Sequence, residues 1–442
     1  MTTQKETKPA AVTESKQAGE IYGRWSWVEP TVWTERMLTA LEKGVKGGLW
    51  FSLIDKVWSD GNLRASFRKV KANKGAPGVD HQTVEMFEGD LNANIGRLSE
   101  QIRDNKYDPQ AVRRTYIEKL GSKEKRPLGI PTIRDRVAQG ALRQVLEPIF
   151  EKDFAEHSYG FRPNRGCKDA LRKVEELLRE GYTHVVDADL KSYFDTISHE
   201  KLVERIQVKV ADSRVIGLIG LYLKQGIMEE MKYWTPQEGT PQGAVISPLL
   251  SNIYLDPLDH MMEERGFKMI RYADDFVVLC KSKEDAERAL NVIRDWVEKN
   301  ELKLHPVKTR IVHAFHEGFD FLGYHFEKGT RWPRKKSLKK FKDTIRRKTR
   351  RTNGYNMEAI VHNVNLTVKG WFVYFKHSNH RIFNTLDAWI RMRLRSILRK
   401  RSRKRGCGRG YDHYRWPNAY FAERGLFSLV AAYEKVRQPA RR

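Results

Sequence analysis

Two short apolar runs, residues 269–270 and 276–279, flank a polar stretch that contains two adjacent acids. The runs are rich in β-branched and aromatic residues, which is the pattern of buried strands. The chain therefore predicts a hairpin whose tight turn carries Asp274 and Asp275. Carboxylates at the edge of a core are costly to bury unless a partner such as a hard divalent cation binds them. An Asp-Asp pair is also common in ordinary exposed turns, so the pattern alone leaves both interpretations open.

Helical and strand patterns alternate along the rest of the first 330 residues. They predict short helices over 21–70, two strands joined by a basic turn over 111–130, a helix over 134–150 that stops near Pro148 and a helix over 167–180. A strand over 185–190 and a largely helical stretch over 201–233 follow. The remaining predicted elements are a helix fed by the Gly/Pro loop at 238–254, an amphipathic helix over 283–300, and strands over 302–313 and 319–326. This order predicts an α+β fold, with a sheet that carries helices on one face.

The strand predicted over 185–190 ends in acidic residues. Asp187 and Asp189 alternate along it and therefore point to the same side, while Asp195 lies beyond its end. Asp189 supplies a third carboxylate for the pair at 274–275. Carboxylates from different strands that hold two metal ions are the requirement of two-metal phosphoryl transfer.

The charge of the chain favours a polyanionic partner. The 442 residues include 82 Lys and Arg against 56 Asp and Glu, which gives a net charge of +26. Residues 331–410 hold 25 of the basic residues and 3 of the acidic ones, so 22 of the net charges lie there. Such a charge favours nucleic acid first and an anionic membrane surface second. Aromatic residues interleave with this charge and either pack a core or stack on bases, so we predict a basic helical domain.

Other compositional features exclude several classes of protein. No apolar run approaches the roughly 18–20 residues of a membrane span. Residues 1–20 are polar, which predicts a mobile tail without a secretion signal. The three cysteines, Cys167, Cys280 and Cys407, are too scattered for a disulfide framework or a zinc site and fit a reducing cytoplasm.

Eight short motifs follow one another along the chain. They are Asn73-Lys-Gly-Ala-Pro-Gly-Val-Asp80, Arg126-Pro-Leu-Gly-Ile-Pro-Thr132, Ser158-Tyr-Gly-Phe-Arg-Pro-Asn164, Asp189-Leu-Lys-Ser-Tyr-Phe-Asp195, Gly239-Thr-Pro-Gln-Gly243, Tyr272-Ala-Asp-Asp275, Lys308-Thr-Arg310 and Phe321-Leu-Gly-Tyr324. Each is short enough to recur by chance, but their joint occurrence in this order is very specific. From about residue 21 to residue 430 the chain resembles the bacterial group II intron reverse transcriptases, also called maturases.

The resemblance implies a right-hand polymerase. Its fingers and palm would contain an antiparallel sheet backed by helices, followed by an all-helical thumb (domain X) and a basic C-terminal segment. The expected boundaries are a mobile tail at 1–20, the N-terminal extension and fingers at 21–180, the palm at 181–330, the thumb at 331–400 and the DNA-binding segment at 401–442. We also expect no Cys/His-rich endonuclease domain, and hence no intrinsic DNA cleavage.

The resemblance also implies roles for individual residues. Asp189, Asp274 and Asp275 match the palm triad that binds two Mg²⁺ ions, for which Mn²⁺ can substitute. Lys308 matches a lysine proposed to protonate the pyrophosphate leaving group, and the Phe194 ring matches the gate that excludes a ribose 2′-hydroxyl. The further candidates are Lys119 and Arg126 on the triphosphate, Gln242 and Gly243 beside the incoming nucleotide, Phe321, Leu322 and Gly323 in the primer grip, and Arg346, Arg347, Lys348, Arg350, Arg391, Arg393 and Arg395 on RNA or DNA.

The implied activity is RNA-directed DNA synthesis by an intron-encoded protein. It would extend a DNA primer with dNTPs on an RNA template, bind group II intron RNA during splicing and mobility, and contact target DNA. Its expected location is the bacterial cytoplasm, on the nucleoid when bound to DNA, with no membrane partner. Two alternatives are a domesticated relative in defence or CRISPR adaptation and a non-catalytic RNA-binding splicing cofactor. The extended basic region argues against the first, and the intact aspartate triad argues against the second.

Overall fold

The computed structural model describes residues 23–118, 125–229, 232–234, 238–240, 243–406, 408 and 410–437. The chain divides into two compact units. The N-terminal unit holds the described residues up to Ile311 except Leu177–Val185, and the C-terminal unit holds Leu177–Val185 and the described residues from Val312 onward. Helices and β-sheets occur together, so the predicted α+β class is confirmed.

Residues 35–103 form a series of short helices, the first of which fall in the stretch 21–70 where the apolar spacing predicts them. The elements are α1 (Glu35–Lys43), a 3₁₀ turn (Lys46–Gly48), α2 (Ile54–Trp58), α3 (Asp60–Asn73), α4 (Val84–Gly89) and α5 (Leu91–Arg103). The Ser59 side chain accepts a hydrogen bond from Asn62 N at the start of α3, and Thr83 accepts one from Met86 N at the start of α4. Helices α3 and α4 therefore begin with an N-cap that satisfies one of their free amide groups.

Helix α6 (Ile133–Glu151) is buried along most of its length in the N-terminal unit, where α3 packs along it. The sequence predicted that this helix stops near Pro148, but it continues to Glu151. Proline cannot donate to the carbonyl one turn earlier, which here belongs to Gln144. The indole Nε1 of Trp33 donates to that carbonyl at 2.9 Å, so a distant side chain satisfies the group that the proline leaves open.

The hairpin predicted over 111–130 is confirmed. It consists of β1 (Val112–Glu118) and β2 (Lys125–Ile130) in antiparallel register. Its basic turn lies outside the described residues. β1 continues the sheet on its other side, where it pairs in parallel with β4 (Ile227–Glu229), and β4 pairs with β5 (Lys232–Trp234).

The prediction of a largely helical stretch over 201–233 is wrong at its C-terminal end. Helices α8 (His199–Gln207) and α9 (Ser213–Leu223) occupy its first part, but β4 and β5 follow. Val112 N donates to Gly226 O at 2.8 Å and begins the pairing of β1 with β4. The partner strand lies more than 100 residues earlier, so local sequence does not carry the signal that makes this segment a strand.

A second sheet contains the acidic motifs and has the strand order β6-β7-β3-β8. Its elements and flanking helices are α7 (Cys167–Arg179), β3 (His184–Asp189), α10 (Ser247–Glu264), β6 (Lys268–Tyr272), β7 (Asp275–Cys280), α11 (Lys283–Lys299) and β8 (Arg310–His313). The hairpin of β6 and β7 is confirmed. The strand predicted over 302–313 is confirmed only for Arg310–His313, because Pro306 has no N–H for a ladder and lies in the turn before it.

The C-terminal unit contains a three-stranded antiparallel sheet and a set of helices. The strands are β9 (Phe319–Phe321), β10 (Tyr324–Glu327) and β11 (Thr330–Pro333), in the order β11-β10-β9. The helices are α12 (Lys335–Lys348), α13 (Met357–Phe375), α14 (Arg381–Arg401), α15 (Asp412–Arg415), α16 (Asn418–Glu423) and α17 (Leu429–Arg437). The prediction of a basic helical region is confirmed.

Most of the aromatic residues of this region pack a core, as expected. Trp371 stacks on Phe375 with a ring-centroid distance of 4.8 Å, and Phe372 meets Phe383 edge-on at 5.6 Å.

Among the helices that the structure describes, none has the length and apolar content that a membrane span requires.

Candidate active site

The turn between β6 and β7 presents the two adjacent acids. Tyr272 pairs with Asp275 across the hairpin, so Ala273 and Asp274 form a two-residue turn. Ala273 has a left-handed backbone with a φ of 59°. Behind the turn, residues 276–280 of β7 are all buried. The strand core therefore fixes the base of the turn, while Asp274 and Asp275 remain half-buried at its end.

Asp189 ends β3, the strand that neighbours β7 in the sheet. The chain after Asp189 turns into a 3₁₀ helix, Tyr193–Asp195, whose Tyr193 hydroxyl donates to Ser251 O at 2.8 Å. Burial raises the pKa of the Tyr193 phenol, and the negative charge of Asp274 adds to that increase. The hairpin turn and Asp189 thus belong to adjacent strands of one sheet.

Two cations from the chain around residue 309 face the acids of β3. Lys308 Nζ forms an ion pair with Asp189 Oδ2, and Arg310 lies 3.4 Å from Asp187 Oδ2. The backbone holds the same arrangement, since His305 N donates to the Asp189 carbonyl at 2.7 Å. Lys308 thus contacts a carboxylate of the acidic strand β3. Its role in proton transfer stays a prediction.

The carboxylates fit a divalent cation in kind but are not gathered into a metal site. Carboxylate oxygens are the ligands that Mg²⁺ prefers. Within the described ranges, however, no three His, Cys, Asp or Glu side chains are arranged to hold a metal ion. Asp189 is paired instead with the Lys308 ammonium group.

The expected nucleotide-contacting residues are only partly described. Phe194 is 9% exposed, and its ring meets that of Tyr193 at 5.3 Å. Its carbonyl accepts a bond from Thr240 N at 2.7 Å, which fixes the start of the Gly/Pro loop beside it. Lys119 and Gln242 lie outside the described residues. For Arg126 the backbone is described, opposite Ile117 in the β1–β2 hairpin, and the side chain is not.

Gly243 brings the same loop against the β1–β2 hairpin. Its φ is 107°, and a Cβ at this position would lie 2.5 Å from Gly129 O and 2.8 Å from Leu128 Cδ1. Only glycine allows both this backbone conformation and this close approach. The loop that begins beside Phe194 therefore ends on the strand that carries Arg126.

The expected primer grip is a tight turn in the C-terminal unit. Leu322 and Gly323 both have left-handed backbones, with φ values of 46° and 81°, between β9 and β10. This is the two-residue turn that matches the twist of a hairpin. The Tyr374 hydroxyl donates to Leu322 O at 2.7 Å, and Arg334 N donates to Gly323 O at 3.0 Å. The adjoining Phe321 is buried.

Comparison with known proteins identifies the family. Residues 117–326 match the family described as reverse transcriptase (RNA-dependent DNA polymerase). Residues 338–416 match the group II intron, maturase-specific domain. Protein YkfC of Escherichia coli (strain K12) is 35% identical over 303 residues, which cover 59% of this chain and 79% of YkfC. The chain belongs to the group II intron reverse transcriptases.

Other relatives are matched over smaller shares of their length. The group II intron-encoded protein LtrA of Lactococcus lactis is 39% identical over 208 residues, which cover 47% of this chain and 34% of LtrA. Among solved structures, a chain of a partial Cas6-RT-Cas1–Cas2 complex is 24% identical, with a TM-score of 0.35 over 56% of this chain and 41% of that chain. That structural similarity is too low to support an inference about function.

In this group II intron reverse transcriptase, the basic residues expected to bind nucleic acid differ in exposure. Arg346, Arg347 and Arg350 are exposed, and Lys348 Nζ donates to Asn363 O at 2.7 Å. Arg391 is half-buried on α14. The role of these five residues in binding nucleic acid therefore stays a prediction.

Two arginines of α14 have internal partners. Arg393 donates to both the hydroxyl and the carbonyl of Thr349, at 3.1 and 3.0 Å. Arg395 is 2% exposed and donates to Trp416 O at 2.9 Å and to Asn418 Oδ1 at 2.8 Å. A phosphate cannot reach the Arg395 guanidinium in this arrangement, so the structure corrects the expectation for that residue. Its α14 face packs on the following helices and does not face solvent.

Sequence reasoning missed two groups of residues. The first is a groove of about 320 Å³ along α12, lined by Lys335, Lys336, Lys339, Lys340, Asp343, Thr344 and Arg347. Its signal was the spacing of lysines at i, i+3 and i+4 on one helix face. The second is a buried arginine, Arg271, two residues before Ala273 of the acidic turn. Its signal was a charged residue inside an otherwise apolar strand.

Proposed function

We propose that this chain is an RNA-directed DNA polymerase that extends a DNA primer with dNTPs on an RNA template at Asp189, Asp274 and Asp275. The observation that carries the proposal is the placement of these acids. Asp189 ends β3, and Asp274 and Asp275 lie at the start of the neighbouring β7. Both strands fall within the residues that match the reverse transcriptase family.

Divalent metal ions serve reverse transcriptases in general, and we propose that Asp189, Asp274 and Asp275 hold two Mg²⁺ ions here. When bound, such ions lower the pKa of a primer 3′-hydroxyl and neutralise charge on the reacting phosphate. Lys308 would have to give up its contact with Asp189 Oδ2 before that oxygen could bind an ion. The Lys308 side chain is 59% exposed, and an ion pair this exposed contributes little stability, so the exchange is cheap.

Once released from Asp189, Lys308 is a proton donor for the leaving group. Its ammonium group contacts the Asp189 carboxylate, at the end of the turn 302–309 that is held to β3. A positioned ammonium group on the departing pyrophosphate would stabilise its developing charge. We therefore assign Lys308 to the departure step and not to metal binding.

The choice of sugar is proposed to rest on Phe194. The loop at Gly239-Thr240 holds the Phe194 backbone, because Thr240 N donates to Phe194 O. Gly239 approaches the same carbonyl so closely that a Cβ on it would lie 2.7 Å from Phe194 O. The Phe194 ring is buried beside the Tyr193 ring, so the ring would resist displacement by an extra hydroxyl on the sugar. The substrate would thus be a deoxynucleotide.

The C-terminal unit is proposed to bind intron RNA and the primer–template duplex. Support comes from the match of residues 338–416 to the maturase-specific domain and from the row of exposed lysines on α12. Lysines on one helix face contact successive phosphates without reading sequence. Assistance to intron splicing and mobility would follow from the same contacts, and target DNA would bind through the basic residues beyond α14.

A primer-extension assay tests the proposed function. The purified protein is given a DNA primer on an RNA template, dNTPs and Mg²⁺, and a second assay measures splicing of a group II intron RNA. Template-dependent DNA synthesis supports the polymerase. Splicing assistance with no synthesis under any divalent metal would overturn it and leave the non-catalytic splicing cofactor as the better account.

A further inference from the structure

Arg271 is a fully buried, charged residue on β6. Only Tyr272 separates it from the Ala273-Asp274 turn. Its partner Asp259, on α10, is 6% exposed. Arg271 Nε donates to both carboxylate oxygens of Asp259, at 2.8 and 2.9 Å, and Nη2 also meets Oδ2. A buried ion pair of this kind is a poor device for stability alone, because desolvation offsets most of the attraction. Its geometry therefore needs another explanation.

The remaining nitrogen of Arg271 holds the acidic turn. Nη1 donates to the Ala273 carbonyl at 3.0 Å and to Asn252 Oδ1 at 2.9 Å. Ala273 has the left-handed backbone that directs the chain into Asp274. A residue with a side chain keeps such a conformation only where its surroundings impose it.

Asn252 connects Arg271 to a second segment that contacts the turn. Its Nδ2 donates to Gly160 O at 2.8 Å, and Gly160 lies against the turn so closely that a Cβ there would be 2.8 Å from the Tyr272 carbonyl carbon and would clash with Ala273 N. The backbone of Arg271 is bridged to the same segment, since Arg271 N donates to His157 O at 3.0 Å. The turn is thus held from its carbonyl side by Arg271 and from its amide side by Gly160.

One helix supplies both side chains that orient Arg271. Asn252 and Asp259 lie seven residues apart on α10, and two helical turns bring them to the same face. Both are buried, at 1% and 6% exposure, so water cannot replace either bond. The position of Asp274 is in this way tied to a rigid helix rather than to a surface loop.

We propose that Arg271, with Asp259 and Asn252, is the positioning group that fixes the Ala273-Asp274 turn and so aims the Asp274 carboxylate for polymerisation. This inference rests on the proposed function, because it assumes that Asp274 acts in catalysis. Arg271 is not itself a catalytic residue, since it touches only protein groups. Its loss should lower the rate of the chemical step and leave substrate binding nearly intact.

Three variants and one matched control test the inference. Arg271→Lys keeps the charge but loses the fork that reaches Ala273 and Asn252, and Asp259→Asn removes the charge that orients the fork. Asn252→Ala removes the acceptor for Arg271 Nη1 and the donor to Gly160 O but keeps the Arg271–Asp259 ion pair, and it serves if the other two fail to fold. Asp212→Asn is the control, because Asp212 is also buried, at 8% exposure, but bonds the amides of Leu53 and Ile54 far along the chain from the turn.

The readouts are kcat and KM for single-nucleotide incorporation together with the thermal midpoint of unfolding. We expect Arg271→Lys and Asp259→Asn to lower kcat by roughly 10²-fold, the scale of a small misplacement of a reacting group. KM for dNTP should stay within about threefold, as for a loss confined to the transition state. Asp212→Asn should lower the thermal midpoint as much while kcat stays within about threefold.

The double variants separate positioning from general destabilisation. Arg271→Lys with Asp259→Asn should be no slower than the slower single variant, because the two residues act as one unit. Arg271→Lys with Asp212→Asn should show independent, additive losses. Unchanged kcat in the first two single variants, or an equal loss of kcat in Asp212→Asn, would overturn the positioning role while the wild type still makes DNA. Absence of synthesis by the wild type, or full synthesis by Asp274→Ala, would instead overturn the proposed function itself.

Discussion

Asp189 is held at the end of β3 by two contacts to one later turn. Its carbonyl accepts the bond from His305 N, and its carboxylate meets Lys308 Nζ. Two residues earlier, Asp187 faces Arg310 in the same way. Asp187 and Asp189 thus lie on the same face of β3 but have different partners. Mutating each of them separately therefore gives a matched comparison.

Replacing Asp274 or Asp189 with Ala should reduce dNTP incorporation on an RNA template by roughly 10³-fold or more, as for other residues of a catalytic unit. The reason is that each removes a carboxylate proposed to hold the metal ions. RNA affinity, measured by filter binding, should remain nearly unchanged. Asp187→Asn is the control: it weakens an ion pair whose Arg310 side chain is 53% exposed and should retain synthesis. Normal extension by the Asp274 variant would refute its assignment.

Phe194→Ala should admit ribonucleotides, whereas Phe194→Tyr should continue to exclude them. The alanine leaves space where the ring is held against Tyr193, and the tyrosine keeps the bulk. The measurement is the ratio of kcat/KM for dNTP over rNTP on one primer–template. If the ratio stays at the wild-type value in the alanine variant, another group selects the sugar.

The helices of the C-terminal unit combine a buried aromatic face with a basic exposed face. On α12, Phe341 and Ile345 are buried while the lysines of the groove are exposed. The same sequence run therefore contributes both to the core and to the charge, which is the usual division in an amphipathic helix. The nucleic-acid role of these helices is expected to depend on the exposed lysines more than on α14 arginines such as Arg395.

Changing Lys336 and Lys340 together to Gln should weaken RNA binding and flatten its dependence on salt. Each lost phosphate contact should reduce the slope of log K against log salt by about 0.7–0.9. Fluorescence anisotropy over a series of KCl concentrations measures the slope. Lys283→Gln, on α11, removes a lysine of similar exposure and serves as the control. An unaltered slope in the double variant would place the binding surface elsewhere.

Three histidines form a cluster in the C-terminal unit. The His313 ring lies 4.8 Å from that of His184 and 4.4 Å from that of His316. Burial lowers the pKa of His313 below its ordinary value of 6.5, and the charges of its two neighbours lower it further. The folded state therefore resists protonation of His313 more than the unfolded chain does.

The sign of this effect predicts a loss of stability in acid. Because the folded pKa is below the unfolded value, the contribution is present above about pH 6.5 and is lost as the pH falls below it. His313→Gln should flatten the fall of the thermal midpoint between roughly pH 7 and pH 5. His362→Gln, an exposed histidine on α13, should leave that profile unchanged. Equal profiles for the wild type and His313→Gln would contradict the expectation.

At the scale of the whole molecule, chemistry and charge belong to different units. The acids proposed for catalysis lie in the N-terminal unit, and most of the net positive charge lies in the C-terminal unit. The maturase-specific match over 338–416 lies within the C-terminal unit, whereas the reverse transcriptase match over 117–326 begins in the N-terminal unit and extends past Ile311 into the C-terminal one. Because the acids and most of the charge lie in different units, catalysis and RNA affinity can be tested by separate substitutions.

The sequence by itself determined the elements whose signals are local. The β6–β7 hairpin with its acids, the strand that ends in Asp189 and the amphipathic helices each follow from spacing within about 20 residues. The order of the motifs also identified the family, because several short patterns in one order rarely coincide by chance.

Only the tertiary structure decided the features that depend on partners distant in the chain. β4 becomes a strand because β1 pairs with it, and α6 passes Pro148 because Trp33 satisfies Gln144. Arg395 is buried by helices that follow it, and Arg271 is matched by residues of another element. Local sequence does not indicate which distant residue will become a partner, because the packing of the whole core brings the partners together.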